Sequence, residues 1–326
     1  MKLISVMTPC YNEEDNVADL YDRVKQVFAG LNGYEFEHIF IDNSSGDGTV
    51  AVLKKMAAAD RRVKIIVNTR NFGVVRSPFY GLLQAAGDAV IPMCADLQDP
   101  PEMIVDFLER WEKGYKVVLA VKSNSEESRL FFAARRFYYR LVGRLSEIEL
   151  VENATGFGLY DRDVIQVLRQ IDDPYPYARG LICDLGYQRA MVPYVQPARR
   201  RGFSKNNLYA LYDLAMLGIT NHSKVPLRLA TFTGFLLAAL SLLVAFAYFV
   251  VKLIFWNSFR MGQAPLVIGL FFFSAVQLLF IGILGEYIGS IHTQVLRRPL
   301  VVEKERINFD QPASPPGEPY GRSADA

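Results

Sequence analysis

The sequence predicts an α/β domain on a mainly parallel sheet, followed by two C-terminal transmembrane helices. Three observations carry this. Short β-branched runs alternate with helical patterns over residues 1–122, two long uncharged apolar runs lie between residues 229 and 285, and the turns after the strands are rich in Asp, Asn and Glu. The chain has 326 residues, room for roughly two domains at about 150 residues each.

The runs LISVMT, EHIFID, VKIIVN, DAVIPM and KVVLAV read as strands apolar enough to be buried on both faces. Helical patterns over 16–29, 49–59, 75–86 and 101–113 lie between them. Such alternation implies a parallel sheet covered by helices. Ligands bind these sheets at the carboxyl ends of the strands, so the turns there are where chemistry is sought.

The apolar runs are LATFTGFLLAALSLLVAFAYFVV (229–251) and QAPLVIGLFFFSAVQLLFIGILG (263–285). Each is long enough to cross about 30 Å of hydrocarbon as a helix; the alternative is a pair of buried core helices. We assign 229–254 and 264–290 to the two spans, 206–226 to a juxtamembrane helix and 291–326 to a cytoplasmic tail disordered from about 310. The connector 252–262 carries only Lys252 and Arg260, whereas Arg199, Arg200, Arg201, Lys205, Lys224 and Arg228 precede the first span and Arg297, Arg298, Lys304 and Arg306 follow the second. By the positive-inside rule both termini and the domain over 1–205 face the cytoplasm. Residues 3–8 run straight into a polar turn, which is not the pattern of a signal peptide.

Residues 129–147, RLFFAARRFYYRLVGRLSE, hold Arg129, Arg135, Arg136, Arg140 and Arg144 with apolar residues at three- and four-residue spacing. This predicts a basic amphipathic helix at a lipid interface; the alternative is a charged face over a soluble core. Lys plus Arg is 36 and Asp plus Glu 34, a net charge of +2, so no nucleic-acid partner is implied. Hydrophobic residues are 51%. Cys10, Cys94 and Cys183 are odd in number and share no metal-type spacing, which points to a reducing compartment. His38, His222 and His292 are scattered and form no ligand set.

Four turns follow the first four strands: Thr8-Pro9-Cys10-Tyr11-Asn12-Glu13-Glu14, Asp42-Asn43-Ser44-Ser45-Gly46-Asp47-Gly48-Thr49, Asn68-Thr69-Arg70-Asn71-Phe72-Gly73, and Cys94-Ala95-Asp96-Leu97-Gln98-Asp99-Pro100-Pro101-Glu102. No dinucleotide or P-loop glycine pattern occurs. The second turn is open to a purely structural reading, with Asp47 or Thr49 capping the next helix. Asp96, Gln98 and Asp99 place hard oxygen donors within four residues, as Mg²⁺ or Mn²⁺ requires when it also holds substrate phosphates.

Together, P-x-Y-N-E, I-D-N-S-S-x-D-G-T, R-N-F-G and A-D-L-Q-D-P-P-E in this order resemble the second family of inverting nucleotide-sugar glycosyltransferases, with a GT-A fold. L-Q-D-P-P-E, the later R-x-x-G-x-S-K and the two spans resemble its polyisoprenyl-phosphate branch, which includes dolichyl-phosphate mannose synthases and bactoprenol glucosyltransferases. The resemblance covers about residues 3 to 300. It implies that Pro9, Tyr11, Glu13, Asp42, Arg70 and Asp96 bind the nucleotide sugar and that Asp96 and Gln98 hold a divalent metal, Mg²⁺ or Mn²⁺. It further implies that Arg199, Gly202, Ser204 and Lys205 close over the site, with Asp96, Arg199 and Lys205 carrying catalysis. Arg129, Arg135, Arg136, Arg199, Ser204 and Lys205 would take the lipid phosphate.

Two departures stand out. The family's D-A-D-L-Q begins here with Cys94, a soft thiol poorly matched to Mg²⁺. Its later G-D-F-R-L segment reads Thr155-Gly156-Phe157-Gly158-Leu159-Tyr160-Asp161, without the acid near the acceptor; Asp161 is expected to start the following helix. The reaction expected is transfer of one sugar, glucose from UDP-glucose in the first instance, to an undecaprenyl- or dolichyl-type polyprenyl phosphate by a homo-oligomer in the bilayer. The alternative is an inactive relative that binds nucleotide sugar or lipid as a regulatory or assembly partner. A processive polysaccharide synthase is disfavoured because no Q-x-x-R-W occurs.

Overall fold

A computed structural model describes residues 1–124, 151, 153–197, 216–218, 220, 223–254 and 263–310. The chain divides into two units, one made of Met1–Tyr139, Ile148–Asn207 and Leu296–Ala326 and the other of Arg140–Glu147 and Leu208–Val295.

The first unit holds one eight-stranded sheet. Its strands are β1 (Lys2–Cys10), β2 (Tyr34–Asp42), β3 (Val63–Asn68), β4 (Ala89–Pro92), β5 (Val117–Asn124), β6 (Ala154–Asp161), β7 (Arg189–Val195) and β8 (Glu303–Ile307), in the order β7-β5-β6-β4-β1-β2-β3-β8. β1 runs parallel to both β2 and β4, and β2 parallel to β3, whereas β6 and β8 are antiparallel to β4 and β3. From β1 the chain winds outward through β2 and β3 and then returns to place β4 on the other side of β1. The winding reverses there, and a crevice opens at the carboxyl ends of the strands.

Helices cover both faces: α1 (Val17–Ala29), α2 (Thr49–Ala59), α3 (Gly73–Leu83), α4 (Ile104–Glu112), α5 (Arg162–Gln170) and α6 (Ala178–Asp184). Alternate residues of each strand point to opposite layers. Phe36 and Phe40 of β2 join Leu20, Val24, Leu53 and Phe107 from α1, α2 and α4 in one core layer. Ile39 and Ile41 join Phe79, Leu82 and Ile165 from α3 and α5 in the other. Each such side chain contributes about 1.5–3 kcal/mol by leaving water. The sequence reading thus holds for five strands and four helices, with ends that differ by a few residues. α3 begins at Gly73 rather than residue 75 because Asn71 Oδ1 accepts the Gly73 N–H at 2.8 Å, satisfying a helix-end donor.

The stretch predicted as a cytoplasmic tail contributes β8. It closes the β3 edge, with Ile307 opposite Ile65 and Glu305 opposite Val67. Asn308 donates to the carbonyls of Ala57 and Val63, both at 2.9 Å, and locks the strand in place.

The second unit contains α7 (Val225–Ile254) and α8 (Gln263–Leu296), which include the predicted spans. Both are long and apolar enough to cross a membrane. Phe232 and Leu242 of α7 are each 71% exposed, and Phe271 and Leu278 of α8 each 69%, so neither helix is a buried core helix. Tyr287 Oη donates to the Ser223 carbonyl at 2.6 Å.

Candidate active site

The first three turns are joined into one polar network. Asn12 N–H donates to Ser45 Oγ at 2.9 Å, Gly46 N–H to Asn12 Oδ1 at 2.8 Å, and Glu13 N–H to Thr49 Oγ1 at 2.8 Å. Glu14 accepts the Gly48 N–H at 2.6 Å. Asn43 is the hub between the second and third turns. Its amide donates to Asn71 Oδ1 at 2.9 Å and to the Gly73 carbonyl at 3.2 Å, while its Oδ1 accepts from Phe72 N–H at 2.8 Å and from Asn68 Nδ2 at 3.2 Å.

Asp42, expected at the donor site, and its neighbour Asp47 have structural duties here. Asp42 is fully buried and accepts both the backbone N–H of Ser45, at 3.0 Å, and its hydroxyl. Asp47 accepts the Thr49 N–H at 3.0 Å and its hydroxyl at 2.5 Å. Partial burial opposes ionisation of Asp47, but the Thr49 hydrogen bonds prevail and hold its carboxyl below the usual range. The structural reading of this turn is therefore correct for Asp47. Pro9 lies on β1 opposite Ile41, Tyr11 is exposed, Glu13 is half-buried and holds Asn16 Nδ2 at 2.7 Å, and Arg70 stacks on Phe72 with its guanidinium 4.0 Å from the ring centre.

The fourth turn adjoins the first because β4 pairs with β1 and Met93 N–H donates to the Met7 carbonyl at 2.8 Å. Within it Leu97 has φ 59°, a left-handed conformation unusual for a bulky residue and typical of functional turns. Asn12 and Ser44, in the first and second turns, share the feature with φ 56° and 64°. The fold over Leu97 lets Gln98 N–H donate to Asp96 Oδ1 at 3.2 Å. Asp99 is buried and accepts the Cys94 N–H at 2.9 Å. Burial pushes its carboxyl up to about 6, against the Cys94 hydrogen bond, with Asp96 adding repulsion. Cys94 as a residue is exposed, yet its thiol is pushed well above its ordinary value by desolvation of the sulfur and by Asp99 and Asp96. It stays a neutral thiol at pH 7.

Asp96 and Gln98 suit a hard divalent ion. Among the described residues no three His, Cys, Asp or Glu side chains sit together as a complete ligand set, so an ion there would draw its remaining ligands from substrate phosphates and water, the usual habit of Mg²⁺. Gln98 Nε2 also donates to the Pro197 carbonyl at 3.3 Å. Pro197 is the last described residue before the R-x-x-G-x-S-K motif. Arg199, Gly202, Ser204 and Lys205, and Arg129, Arg135 and Arg136 of the basic segment, lie outside the described residues.

Gly156, Tyr160, Tyr177, Arg179 and Cys183 line a small cavity beside the segment that lacks the acceptor-side acid. Arg179, on α6, donates to the Ala154 carbonyl at 3.4 Å, and its charge bears on the Cys94 thiol. It belongs to none of the motifs, and only the sheet brings it here. Asp161 caps α5, its side chain accepting the Asp163 N–H at 2.9 Å, as expected from the sequence.

The sequence model of glycosyl transferase family 2 matches residues 5–169, which contain all four turns. The chain belongs to glycosyltransferase family 2. The bactoprenol glucosyl transferase of Shigella phage SfII is 37% identical over 303 residues, covering 93% of this glycosyltransferase and 97% of the phage protein. The prophage bactoprenol glucosyl transferase homolog of Escherichia coli K12 is 34% identical over 302 residues, 92% of this chain and 98% of its own. Among solved structures, glucosyl-3-phosphoglycerate synthase from Mycobacterium tuberculosis is similar at a TM-score of 0.45 with 20% identity, over 67% of this chain and 78% of that one. This glycosyltransferase is thus an enzyme of GT-A fold with two apolar C-terminal helices.

Proposed function

We propose that this glycosyltransferase moves glucose from UDP-glucose to a polyprenyl phosphate at the cytoplasmic face of a membrane, with inversion at the anomeric carbon. The observation that carries this is end-to-end similarity to bactoprenol glucosyl transferases, which includes both the sheet-edge turns and the two apolar helices. The topology has independent support. The sheet takes β1 to β7 from before the two apolar helices and β8, which begins seven residues after α8 ends, from beyond them, and basic residues flank both sides of the pair in sequence.

In the reaction an oxygen of the lipid phosphate attacks the anomeric carbon as the bond to the UDP oxygen breaks, and UDP leaves. A phosphate monoester has a second pKa near 6, so at pH 7 the nucleophile is already ionised and the absent acceptor-side acid is not needed as a base. The burden is electrostatic: a dianionic acceptor approaches a dianionic donor. Asp96 and Gln98 would hold a divalent ion, which when bound would offset the charge that builds on the leaving diphosphate. The chain's own part is to hold the base and ribose with Pro9, Tyr11, Glu13, Asp42 and Arg70 and to position the diphosphate with Asp96 and Gln98. Arg199, Ser204 and Lys205 carry the phosphate-facing charge, with Arg129 and Arg135–Arg136 at the lipid.

Purified full-length protein given Mg²⁺ or Mn²⁺, undecaprenyl phosphate and a panel of nucleotide sugars tests the reading by mass spectrometry of the lipid product. A hexosyl-phosphate lipid formed fastest from UDP-glucose is expected. Tight UDP binding with no lipid product from any donor would instead support the inactive relative.

A further inference from the structure

Where the chain turns toward β8, two arginines flank one ring and a third, Arg298, lies within electrostatic reach of them. Arg70 and Arg76 hold their guanidinium carbons 4.0 and 5.3 Å from the centre of Phe72, which is buried. Arg76 Nη2 also donates to the Pro299 carbonyl, next to Arg298. Thr69 fixes the same strap, its N–H and hydroxyl donating to the Val302 carbonyl at 2.9 and 3.1 Å. Arg76 sits in the first turn of α3.

Among the described residues this cluster lacks a counter-charge. No ion pair joins Arg70, Arg76 or Arg298 to a carboxylate among the described residues. Arg76 Nε is buried with no hydrogen-bond partner. Desolvation, with Arg70 and Arg298 as like-charged neighbours, holds the Arg76 guanidinium below its ordinary value. A buried cationic donor without a partner is costly, and an anion with two or more oxygens relieves both the orphan donor and the mutual repulsion. Nothing in the nucleotide-sugar reading uses Arg76 or Arg298.

We propose that Arg76 and Arg298, which the nucleotide sugar does not use, form a site for the phosphodiester headgroup of an anionic phospholipid of the surrounding bilayer. The argument for a bilayer lipid is position. Arg298 follows Leu296, the last residue of α8, by two residues, and Val74 and Val302 beside the charges are 71% and 42% exposed. Basic residues immediately beyond a span meet anionic headgroups, with apolar neighbours reaching toward the acyl boundary. The site rests on reading α8 as a span. It would anchor the turn that carries Arg70, and hence the donor side of the crevice, to the membrane surface.

The test uses the full chain in nanodiscs of phosphatidylcholine alone or with about one third phosphatidylglycerol. Recovery of the protein in the detergent-extractable membrane fraction checks the span reading first. The second readout is phosphatidylglycerol retained per protein by mass spectrometry after transfer to neutral detergent, with melting temperature in each disc. Wild type is expected to retain phosphatidylglycerol selectively and to melt higher in its presence. Arg298→Gln, at an exposed position that folding does not need, should weaken retention about fivefold, the effect of one basic residue at an anionic surface. Arg76→Gln should weaken it further. Arg61→Gln, an exposed arginine at the other end of β3, should leave retention unchanged. The proposal is overturned if an integrated wild type shows no preference, if Arg298→Gln retains as much as wild type, or if Arg61→Gln loses as much. It is also overturned if inorganic phosphate reproduces the stabilisation in phosphatidylcholine discs, since the site would then take free anions.

Discussion

Asn43 and Asn71 share a 2.9 Å hydrogen bond that ties the turn after β2 to the turn after β3. Among the described residues no backbone–backbone hydrogen bond joins these loops, and the link between them runs through one buried amide with four partners.

Replacing Asn43 by Ala orphans the Phe72 N–H and takes one of two partners from the Asn68 amide and from Asn71 Oδ1, which keep Ser77 and the Gly73 N–H. A buried group so orphaned costs about 1–3 kcal/mol before relaxation. A lowered melting temperature and a rise in KM for the nucleotide sugar larger than the fall in kcat are expected, measured by thermal unfolding in detergent and by steady-state kinetics. An unchanged KM would show that the network does not shape the donor site.

Asp96→Asn keeps the size of the side chain and removes its charge. Turnover should fall by about 10²-fold or more, as on loss of a principal electrostatic contact in the transition state. Cys94→Asp is expected to act oppositely on the ion, lowering the Mg²⁺ or Mn²⁺ concentration at half-maximal rate, because an oxygen donor replaces a protonated thiol. Metal titrations of both variants decide this; equal metal dependence in all three proteins would remove this turn from the metal site.

His38 carries a pH dependence that has nothing to do with catalysis. It stacks on Phe40 at 4.0 Å, its Nε2 lies 2.9 Å from Thr8 Oγ1, and burial lowers its pKa to about 3. In the unfolded chain a histidine titrates near 6.5. Below that pH the unfolded state takes up a proton that the folded state refuses, so stability falls as pH drops from about 6.5 toward 3, by up to ~1.4 kcal/mol per pH unit. Above 6.5 this group contributes no slope. Melting temperatures of wild type and His38→Gln between pH 7.5 and 4.5 should converge as pH falls; parallel curves would contradict the assignment.

Arg306 holds β8 to the rest of the domain. It donates to Glu303 at 2.6 and 3.0 Å and to Gln84 Oε1 at 2.7 Å, with both charged side chains largely buried. Arg306→Ala strands the Glu303 carboxylate, which costs about 3–5 kcal/mol for a buried pair. Faster hydrogen exchange across Glu303–Ile307 is expected, and the double change Glu303→Leu with Arg306→Met should restore protection because both charges are then gone.

What the sequence shows well are the features encoded within a few residues of one another. Short continuous apolar runs mark β1 to β5, uninterrupted apolarity marks α7 and α8, and the four acidic and amide turns stand immediately after their strands. Asp161 as a cap is legible for the same reason. Asn43 lay in plain view within Asp42–Thr49, but its role as a hub depends on Asn68, Asn71 and Phe72, which reach it only once β2 and β3 pair.

By itself, then, the sequence determined the fold class, the family and the place on each strand where chemistry belongs, because side-chain period and turn composition are local properties of the chain. Tertiary structure decided the rest. It put the first and fourth turns at one crevice by setting β4 beside β1, brought Arg179 toward Cys94, and drew Arg298 and Pro299 to Arg76. It also turned the charged segment Glu303–Ile307, read as tail, into the eighth strand. Its five residues, mostly charged, bear no strand signal, and it pairs because the exposed edge of β3 offers hydrogen-bonding groups and Glu303 and Arg306 neutralise each other on burial. That partner lies more than two hundred residues away in sequence, and no local pattern encodes it.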